Sequence, residues 1–197
     1  MKLETIDTNQ YIDANNKQWD VNADNNKPVV KQHLDKVIKL IDYSFINATR
    51  PFLHNIVIVL HKKDEIGVFI DRLNKYYIRK KLPKPNYISF KEHGEKGIHF
   101  HIALVIDKAI TNPTLISRFL AKNTSENDTS KLLSHYSITE PYQEMVDISY
   151  KINKLGFDIR TEEDKQNAVY WLSYMTKTRT KNIGNGKQVM SCSRSIS

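Results

Sequence analysis

The sequence predicts an α+β protein with a central antiparallel sheet packed with helices. A β-branched run and a hairpin signature indicate strands, and amphipathic stripes at helical spacing lie before, between and after them. No internal repeat or low-complexity block interrupts the 197 residues. Helices and strands that follow one another in mixed order favour an α+β sandwich.

The composition indicates a folded protein with a surplus of positive charge. The 30 Lys and Arg residues outnumber the 22 Asp and Glu residues, and the net charge of +8 favours a polyanionic partner such as nucleic acid. Cys192 is the only cysteine, so neither an internal disulfide nor a cysteine zinc cluster is available. The first residues lack the apolar core of a signal peptide, and no apolar stretch reaches the length of a membrane span. We therefore expect a soluble, cytoplasmic protein with no membrane partner.

The N-terminal residues differ in composition from the rest. Residues 1–27 are rich in Asn and Asp, with Trp19 as their one large anchor. We predict a polar N-terminal arm there, followed by one folded domain over residues 28–197. From Pro28 onward apolar residues follow helical spacing to about Tyr43, which predicts the first helix.

The next two elements are a buried strand and an amphipathic helix. Residues 52–61 form a β-branched run typical of a central strand. Asp64 is suited to cap the helix that follows, whose apolar residues form one stripe as far as Tyr77. That helix ends in a basic cluster with Lys80 and Lys81. The cluster has two equally favoured interpretations, a phosphate contact and a solvated helix end.

The remaining pattern continues with strands and helices. Two extended segments, 87–93 and 98–106, flank a Gly-Glu-Lys-Gly turn, which predicts a β-hairpin. The later elements are expected as a short helix over 112–121, a polar loop over 123–131, a strand over 146–152, and a long helix from a capping box at Thr161 to about Lys181.

The predicted hairpin places three candidate metal ligands on one surface. His99 and His101 are two residues apart in a strand, so their side chains leave the same face. If the turn is centred on residues 95 and 96, the register places Glu92 opposite His99. Two imidazoles and one carboxylate suit a divalent ion, Mg²⁺ or Mn²⁺, that keeps open positions for a phosphate oxygen. A chance His-x-His pattern is the alternative.

The last predicted helix carries tyrosines and lysines on one side. Four residues recur at helical spacing beside an apolar stripe: Tyr170, Tyr174, Lys177 and Lys181. The C-terminal 33 residues contain six Lys or Arg, Arg179 among them, and no Asp or Glu. A phenol becomes a competent nucleophile when a cation or metal favours its phenolate form, so this ridge suits phosphate chemistry. Half-buried packing at a helix boundary is the alternative for the tyrosines.

Together the two motifs resemble those of HUH endonucleases, the rolling-circle replication initiators and relaxases. The strand motif is GIHFHIALV and the helix motif is YWLSYMTK. Over residues 28–197 their order and spacing are most similar to inovirus-type replication proteins and their YagK/YfjJ-like prophage relatives. The resemblance implies an RRM-like antiparallel sheet that carries the metal site, with the tyrosine helix packed close to it.

The resemblance also implies roles for single residues. The residues that match the family's metal-binding pair and its acidic ligand are His99, His101 and Glu92. Those that match the two nucleophile positions and the lysine after them are Tyr170, Tyr174 and Lys177. The family often has a lysine immediately before the second tyrosine, where this chain has Ser173. The resemblance therefore does not assign the first cleavage to either tyrosine.

The implied function is a replication initiator that nicks single-stranded DNA at an origin. Metal-assisted attack by tyrosine would form a 5′-phosphotyrosine intermediate and later rejoin the strand. The basic residues expected to contact the DNA are Lys80, Lys81, Arg179 and Lys181. The sequence contains no P-loop, so we expect a host helicase and polymerase as partners in the bacterial cytoplasm, and a monomer or weak dimer. The alternatives are a relaxase or single-strand transposase of the same superfamily, and a non-catalytic basic DNA-binding regulator.

Overall fold

A computed structural model of the chain describes residues 4–62, 66–94, 97–139, 155–178 and 190–194. Its elements in chain order are β1 (Thr5–Ile6), β2 (Gln10–Ile12), β3 (Gln18–Asp20), β4 (Val29–Val30), α1 (Lys31–Asn47), β5 (Pro51–Leu60), α2 (Ile66–Arg79), β6 (Asn86–Gly94), β7 (Gly97–Asp107), α3 (Thr114–Asn123), β8 (Leu133–Ile138), β9 (Phe157–Asp158), α4 (Glu162–Ser173) and β10 (Met190–Cys192). A 3-10 turn, Tyr174–Thr176, continues α4. The predicted α+β class with a central antiparallel sheet is confirmed.

The central sheet has six strands and is antiparallel throughout. Five strands follow the order β10-β6-β7-β5-β8, and β9 also pairs with β5. Strands β6 and β7 form the predicted hairpin, in which Gly94 pairs with Gly97 and Glu92 pairs with His99. The register inferred from the turn position is therefore confirmed. Strand β5, predicted as a buried central strand, lies between β7 and β8 with most of its side chains buried.

The sheet separates two hydrophobic cores because side chains alternate between its faces. One face packs against α1 and α4 and contributes Leu53, Ile88 and Ala103. We call it the α1/α4 face. The other face packs against α2 and α3 and contributes Phe100 and Ile102. These two residues alternate with the histidines of β7, so they anchor the strand in one core while the imidazoles point to the α1/α4 face.

Residues 4–27 pack on the folded core, which corrects the predicted polar arm over residues 1–27 for the described part of that segment. Strand β1 pairs with β4, and β2 pairs with β3. Trp19 and Val21 are fully buried in the core formed with α1 and α4. The side chains of Asp13 and Asp24 accept backbone N–H groups in turns. The polar composition therefore reflects tight turns between short strands and not a separate arm.

Helix α4 begins where the sequence predicts and ends earlier. The Thr161 hydroxyl accepts the backbone N–H of Asp164 at 3.1 Å, and the Asp164 carboxylate accepts that of Thr161 at 2.8 Å, which confirms the capping box. The prediction that the helix continues to about Lys181 is wrong, since it ends at Ser173. At that point the Thr176 hydroxyl donates to the Ser173 carbonyl at 2.7 Å, where a backbone amide would continue the helix.

The first three helices agree with the sequence in type and differ at their boundaries, whereas β8, β9 and β10 were not predicted. Helix α1 ends at Asn47 and not at about Tyr43, and α2 and α3 are confirmed. Strand β8 follows the predicted polar loop and was not indicated by the sequence. The predicted strand over 146–152 and the predicted cap Asp64 lie outside the described residues. Within the described ranges, no helix combines the length and the apolar character needed to cross a membrane.

Candidate metal and tyrosine site

Three side chains meet on the α1/α4 face, at the end of the sheet next to the β6–β7 turn. Glu92, His99 and His101 each offer a ligand atom, and these atoms all lie within 4.8 Å of one another. Oε2 of Glu92 is 3.3 Å from Nε2 of His101 and 3.6 Å from Nε2 of His99. Glu92 is only 4 % exposed, whereas both imidazoles keep some access to solvent. The cluster therefore combines a buried carboxylate with two reachable ring nitrogens.

The spacing and chemistry of this cluster fit one divalent cation. Ligand atoms about 2.1 Å from a common ion, at octahedral or tetrahedral angles, lie roughly 3.0 to 3.5 Å apart. The two nitrogen–oxygen separations given above are close to that range. Imidazole is a better ligand for transition metals than for Mg²⁺, so of the two predicted ions Mn²⁺ fits better. A buried carboxylate needs a positive partner, which a bound cation or a protonated imidazole would supply.

The hairpin holds these ligands through its turn and its buried neighbours. Gly97 has a φ of +101°, a conformation that L side chains rarely adopt, so glycine lets the strands close at this point. Phe90, the partner of His101 across the strands, is fully buried and fixes β6 against the core. His93 follows Glu92 in the chain, is exposed, and points to the opposite face, as the alternation predicts.

The tyrosines lie at the end of α4, although not on one continuous ridge. Tyr170 and Tyr174 are both half-buried. Lys177 lies beyond the helix in extended backbone and forms an isolated antiparallel bridge with Val29. The predicted helical ridge is therefore wrong at Lys177, and Lys181 lies outside the described residues. The ammonium of Lys177 nevertheless lies 5.0 Å from the centre of the Tyr174 ring.

The tyrosine end of α4 and the metal-ligand cluster share one end of the α1/α4 face. His33, in the first turn of α1, contacts Phe90 with ring centroids 5.4 Å apart, and Phe90 pairs with His101. Lys177 bridges to Val29, two residues before α1 begins. The carboxyl end of α4 and the amino end of α1 therefore meet beside the strand positions that carry the histidines.

Ser173 lies immediately before Tyr174, at the position where the family that the motifs resemble often has a lysine. It is fully buried, and its hydroxyl donates to the Tyr170 carbonyl at 2.6 Å. The same hydroxyl accepts the backbone N–H of Asn22 at 2.8 Å, so a lysine here would have to displace the N-terminal segment. The side chain of Asn22 in turn accepts the ammonium of Lys177 at 2.9 Å. No sequence signal indicates Asn22, since it lies outside both motifs in a segment of polar composition.

The predicted DNA-binding lysines of α2 are not brought to this site. Lys80 and Lys81 follow α2, which packs on the opposite face of the sheet. The helix ends there because Lys81 adopts a left-handed conformation with φ of +58°. Strand β6 starts soon afterwards at the end of the sheet far from the hairpin turn, so the sheet separates both lysines from the cluster. Arg179 and Lys181 lie outside the described residues.

A further histidine shares the face of the cluster. His135 in β8 pairs with Val59, and Val57 in the same strand pairs with His101, so all four side chains point to the α1/α4 face. His135 is exposed. It lies two strand spacings, about 10 Å, from β7. The sequence could not indicate it because the register of β8 follows from tertiary packing.

The chain matched no family model, no curated protein and no solved structure. What indicates a function for this chain is therefore the chemistry of its site and the resemblance of its two motifs. The site supplies a three-residue ligand set and a tyrosine with a neighbouring cation on the same face of one sheet.

Proposed function

We propose that the protein is a metal-dependent endonuclease that nicks single-stranded DNA through a tyrosine nucleophile and initiates rolling-circle replication. The observation that carries this proposal is that the cluster of Glu92, His99 and His101 lies on the α1/α4 face, on which the helix that leads to Tyr174 and Lys177 also packs. Phosphoryl transfer to a tyrosine needs both an activated phenol and stabilisation of the phosphate charge. The end of α4 would supply the phenol, and the cluster of Glu92, His99 and His101 would hold the cation that stabilises the phosphate charge.

In the proposed reaction a tyrosine oxygen attacks the scissile phosphorus of the DNA. The bond from the tyrosine oxygen to phosphorus forms while the bond from phosphorus to the 3′ oxygen breaks. The phenol gives its proton to solvent, and the leaving 3′ oxygen takes one up, so atoms and charge balance. The reverse attack by a 3′-hydroxyl on the phosphotyrosine rejoins a strand. Because each step exchanges one phosphate ester for another, no nucleotide cofactor is required.

The chain's own residues divide this work. Glu92, His99 and His101 would hold the divalent ion, Mn²⁺ or Mg²⁺, and such an ion supplies Lewis-acid polarisation of a phosphate oxygen when bound. Lys177 places a positive charge beside the Tyr174 ring. Tyr170, one helical turn earlier, is the second nucleophile in this scheme.

The single-stranded substrate would cross the part of the sheet beside the cluster. On the α1/α4 face Val57 and Val59 are half-buried, and His135 and Ser137 are exposed. This surface adjoins the cluster because Val57 pairs with His101. Apolar groups and a ring on an accessible surface suit the unstacked bases of a single strand, and a net charge of +8 favours its approach. A host helicase and polymerase would act on the opened origin.

Formation of a covalent adduct tests this proposal. The protein is incubated with Mn²⁺ and 3′-labelled single-stranded oligonucleotides that cover the cognate genome, and the mixture is separated on a denaturing gel. The proposal expects an adduct that depends on the metal and disappears when Tyr170 and Tyr174 are both changed to Phe. Changing Tyr43 and Tyr76 to Phe is the matched control, because both are half-buried tyrosines outside the site.

Other results would favour the alternative functions. DNA binding without any adduct would contradict the nuclease and support a basic DNA-binding regulator. An adduct confined to a conjugation origin or a transposon end would contradict the replication initiator and support a relaxase or transposase.

A further inference from the structure

We infer that Asn22 is a positioning residue of the tyrosine site, whose side-chain amide holds the ammonium of Lys177 against the ring of Tyr174. The role of Asn22 in nicking rests on the proposed function. The hydrogen bond from Lys177 to Asn22 and the contact of Lys177 with the Tyr174 ring do not depend on that function, so they can be tested separately.

Lys177 contacts both the side-chain amide of Asn22 and the ring of Tyr174. Its Nζ donates to Oδ1 of Asn22 at 2.9 Å and lies 5.0 Å from the centre of the Tyr174 ring. Lys177 is 4 % exposed, which is rare for a lysine and indicates a fixed position in the protein. A cation over the face of an aromatic ring is attracted by the ring's electrons.

The backbone is fixed both at Asn22 and at Lys177. The N–H of Asn22 donates to the Ser173 hydroxyl at 2.8 Å, and the flanking residues Val21 and Ala23 are buried in the core. On the other side, Lys177 bridges to Val29. The amide and the ammonium are therefore brought together by two anchored segments, and the N-terminal segment is the part of the chain that supplies the acceptor.

The group that accepts the hydrogen bond from the Lys177 ammonium is a neutral amide. A lysine side chain has four rotatable bonds and must lose much rotamer freedom to stay in one place. The carboxamide of Asn22 is neutral, so it fixes the ammonium without cancelling its charge. A carboxylate in its place would cancel that charge. A cation held over the Tyr174 ring favours the negative charge that develops on this phenol as it loses its proton.

Among the described residues, the ring that the Lys177 ammonium contacts is that of Tyr174. Lys177 lies over the ring of Tyr174, and the backbone of Tyr170 is tied to Ser173 through its carbonyl. Removing the Asn22 amide should therefore impair chemistry at Tyr174 more than chemistry at Tyr170. A general loss of folding would impair both equally.

The first experiment measures the position of Lys177 without any DNA. In the NMR spectrum of the full-length protein, the ε-methylene signals of Lys177 are assigned by their loss in Lys177→Arg. We expect them upfield of exposed lysines because of the Tyr174 ring current, and moved towards the exposed lysines in Asn22→Ala. Asn22→Asp keeps an acceptor oxygen and should keep the upfield signals, and Asn26→Ala, at an exposed residue of the same segment, is the control. Unchanged signals in Asn22→Ala would overturn the inference.

The second experiment measures adduct formation with one tyrosine at a time. In a Tyr170→Phe background, Asn22→Ala should lower the rate of adduct formation by about tenfold to a hundredfold. In a Tyr174→Phe background the same change should alter it by less than about twofold. Equal losses in both backgrounds would overturn the positioning role. If no variant forms an adduct, the proposed function fails, while the NMR measurement still decides whether Asn22 holds Lys177.

Discussion

The carboxylate of Glu92 lies closer to His101 than to His99, the residue directly opposite it in the hairpin. Its Oε2 is 3.3 Å from Nε2 of His101 and 3.6 Å from Nε2 of His99, although His101 pairs with Phe90 across the strands. A long side chain can reach its diagonal neighbour on an antiparallel pair, so one carboxylate contacts both imidazoles. The cluster therefore depends on the strand register, because a slip of one residue would turn Glu92 to the other face.

Removing a ligand from this cluster should weaken metal binding. We expect Glu92→Gln and His101→Ala each to lower Mn²⁺ affinity by about a hundredfold or more, since even partners outside the ligand shell contribute tenfold or more. Isothermal titration calorimetry, or the electron paramagnetic resonance signal of free Mn²⁺, measures the affinity. His93→Ala is the matched control, because His93 is exposed and points away from the cluster. Equal affinity in all these variants would exclude the cluster as the metal site.

The metal cluster could be predicted because local rules determine it. A glycine-flanked turn fixes the register of a hairpin, and the register fixes which side chains share a face. The position of Glu92 opposite His99 therefore follows from the hairpin alone, whatever the rest of the fold. The start of α4 could be predicted for a similar reason, since its capping box joins residues close in sequence, Thr161 and Asp164.

The tyrosine side of the site could not be predicted in the same way. The helical pattern continues past Ser173, but a hydroxyl contact of Thr176 and a bridge from Lys177 to Val29 end the helix. Asn22 reaches the site over 155 residues of sequence, a tertiary contact that no local pattern indicates. No local pattern indicates the burial of Trp19 either, because its partners in α1 and α4 lie elsewhere in the chain.

The N-terminal segment should contribute to the stability of the whole protein. Trp19 is fully buried, so Trp19→Ala should lower the free energy of unfolding by about 3 to 5 kcal/mol. Ile12→Ala in the same hairpin is the control, since Ile12 is 62 % exposed and should change it by only about 0.5 kcal/mol. Urea denaturation followed by circular dichroism measures both values. A small loss for Trp19→Ala would restore the view of these residues as a separate arm.

Gly156 should be intolerant of any side chain. Its φ is +140°, and a Cβ atom built there would collide with the carbonyl oxygen of Leu53. We expect Gly156→Ala to lower the free energy of unfolding by about 2 kcal/mol or more. Gly67→Ala is the control, because a Cβ at that position of α2 meets open space and should stabilise the helix by about 0.5 to 1 kcal/mol. Chemical denaturation of both variants tests the contrast, and equal effects would contradict it.

The protein should become less stable as the pH is lowered, because of His54. Burial lowers the pKa of His54 to about 4, although its hydrogen bond to the Leu155 carbonyl opposes this shift. The unfolded chain therefore binds a proton as the pH falls below about 6.5 while the folded protein does not, which favours unfolding down to about pH 4. From about pH 7.5 to about pH 5 the wild type should lose about 2 kcal/mol more stability than His54→Asn. Parallel pH profiles of the two proteins would refute this role.

Locating the covalent bond between protein and DNA decides whether Tyr170 or Tyr174 is the nucleophile of a metal-dependent nickase. After incubation with Mn²⁺ and a cleaved single-stranded oligonucleotide, the protein is digested and the peptide that carries the nucleotide is sequenced by mass spectrometry. We expect a phosphodiester on Tyr174 or Tyr170, and no such peptide for His101→Ala or in the absence of the metal. A nucleotide on any other residue, or one that forms equally well in His101→Ala, would contradict this expectation.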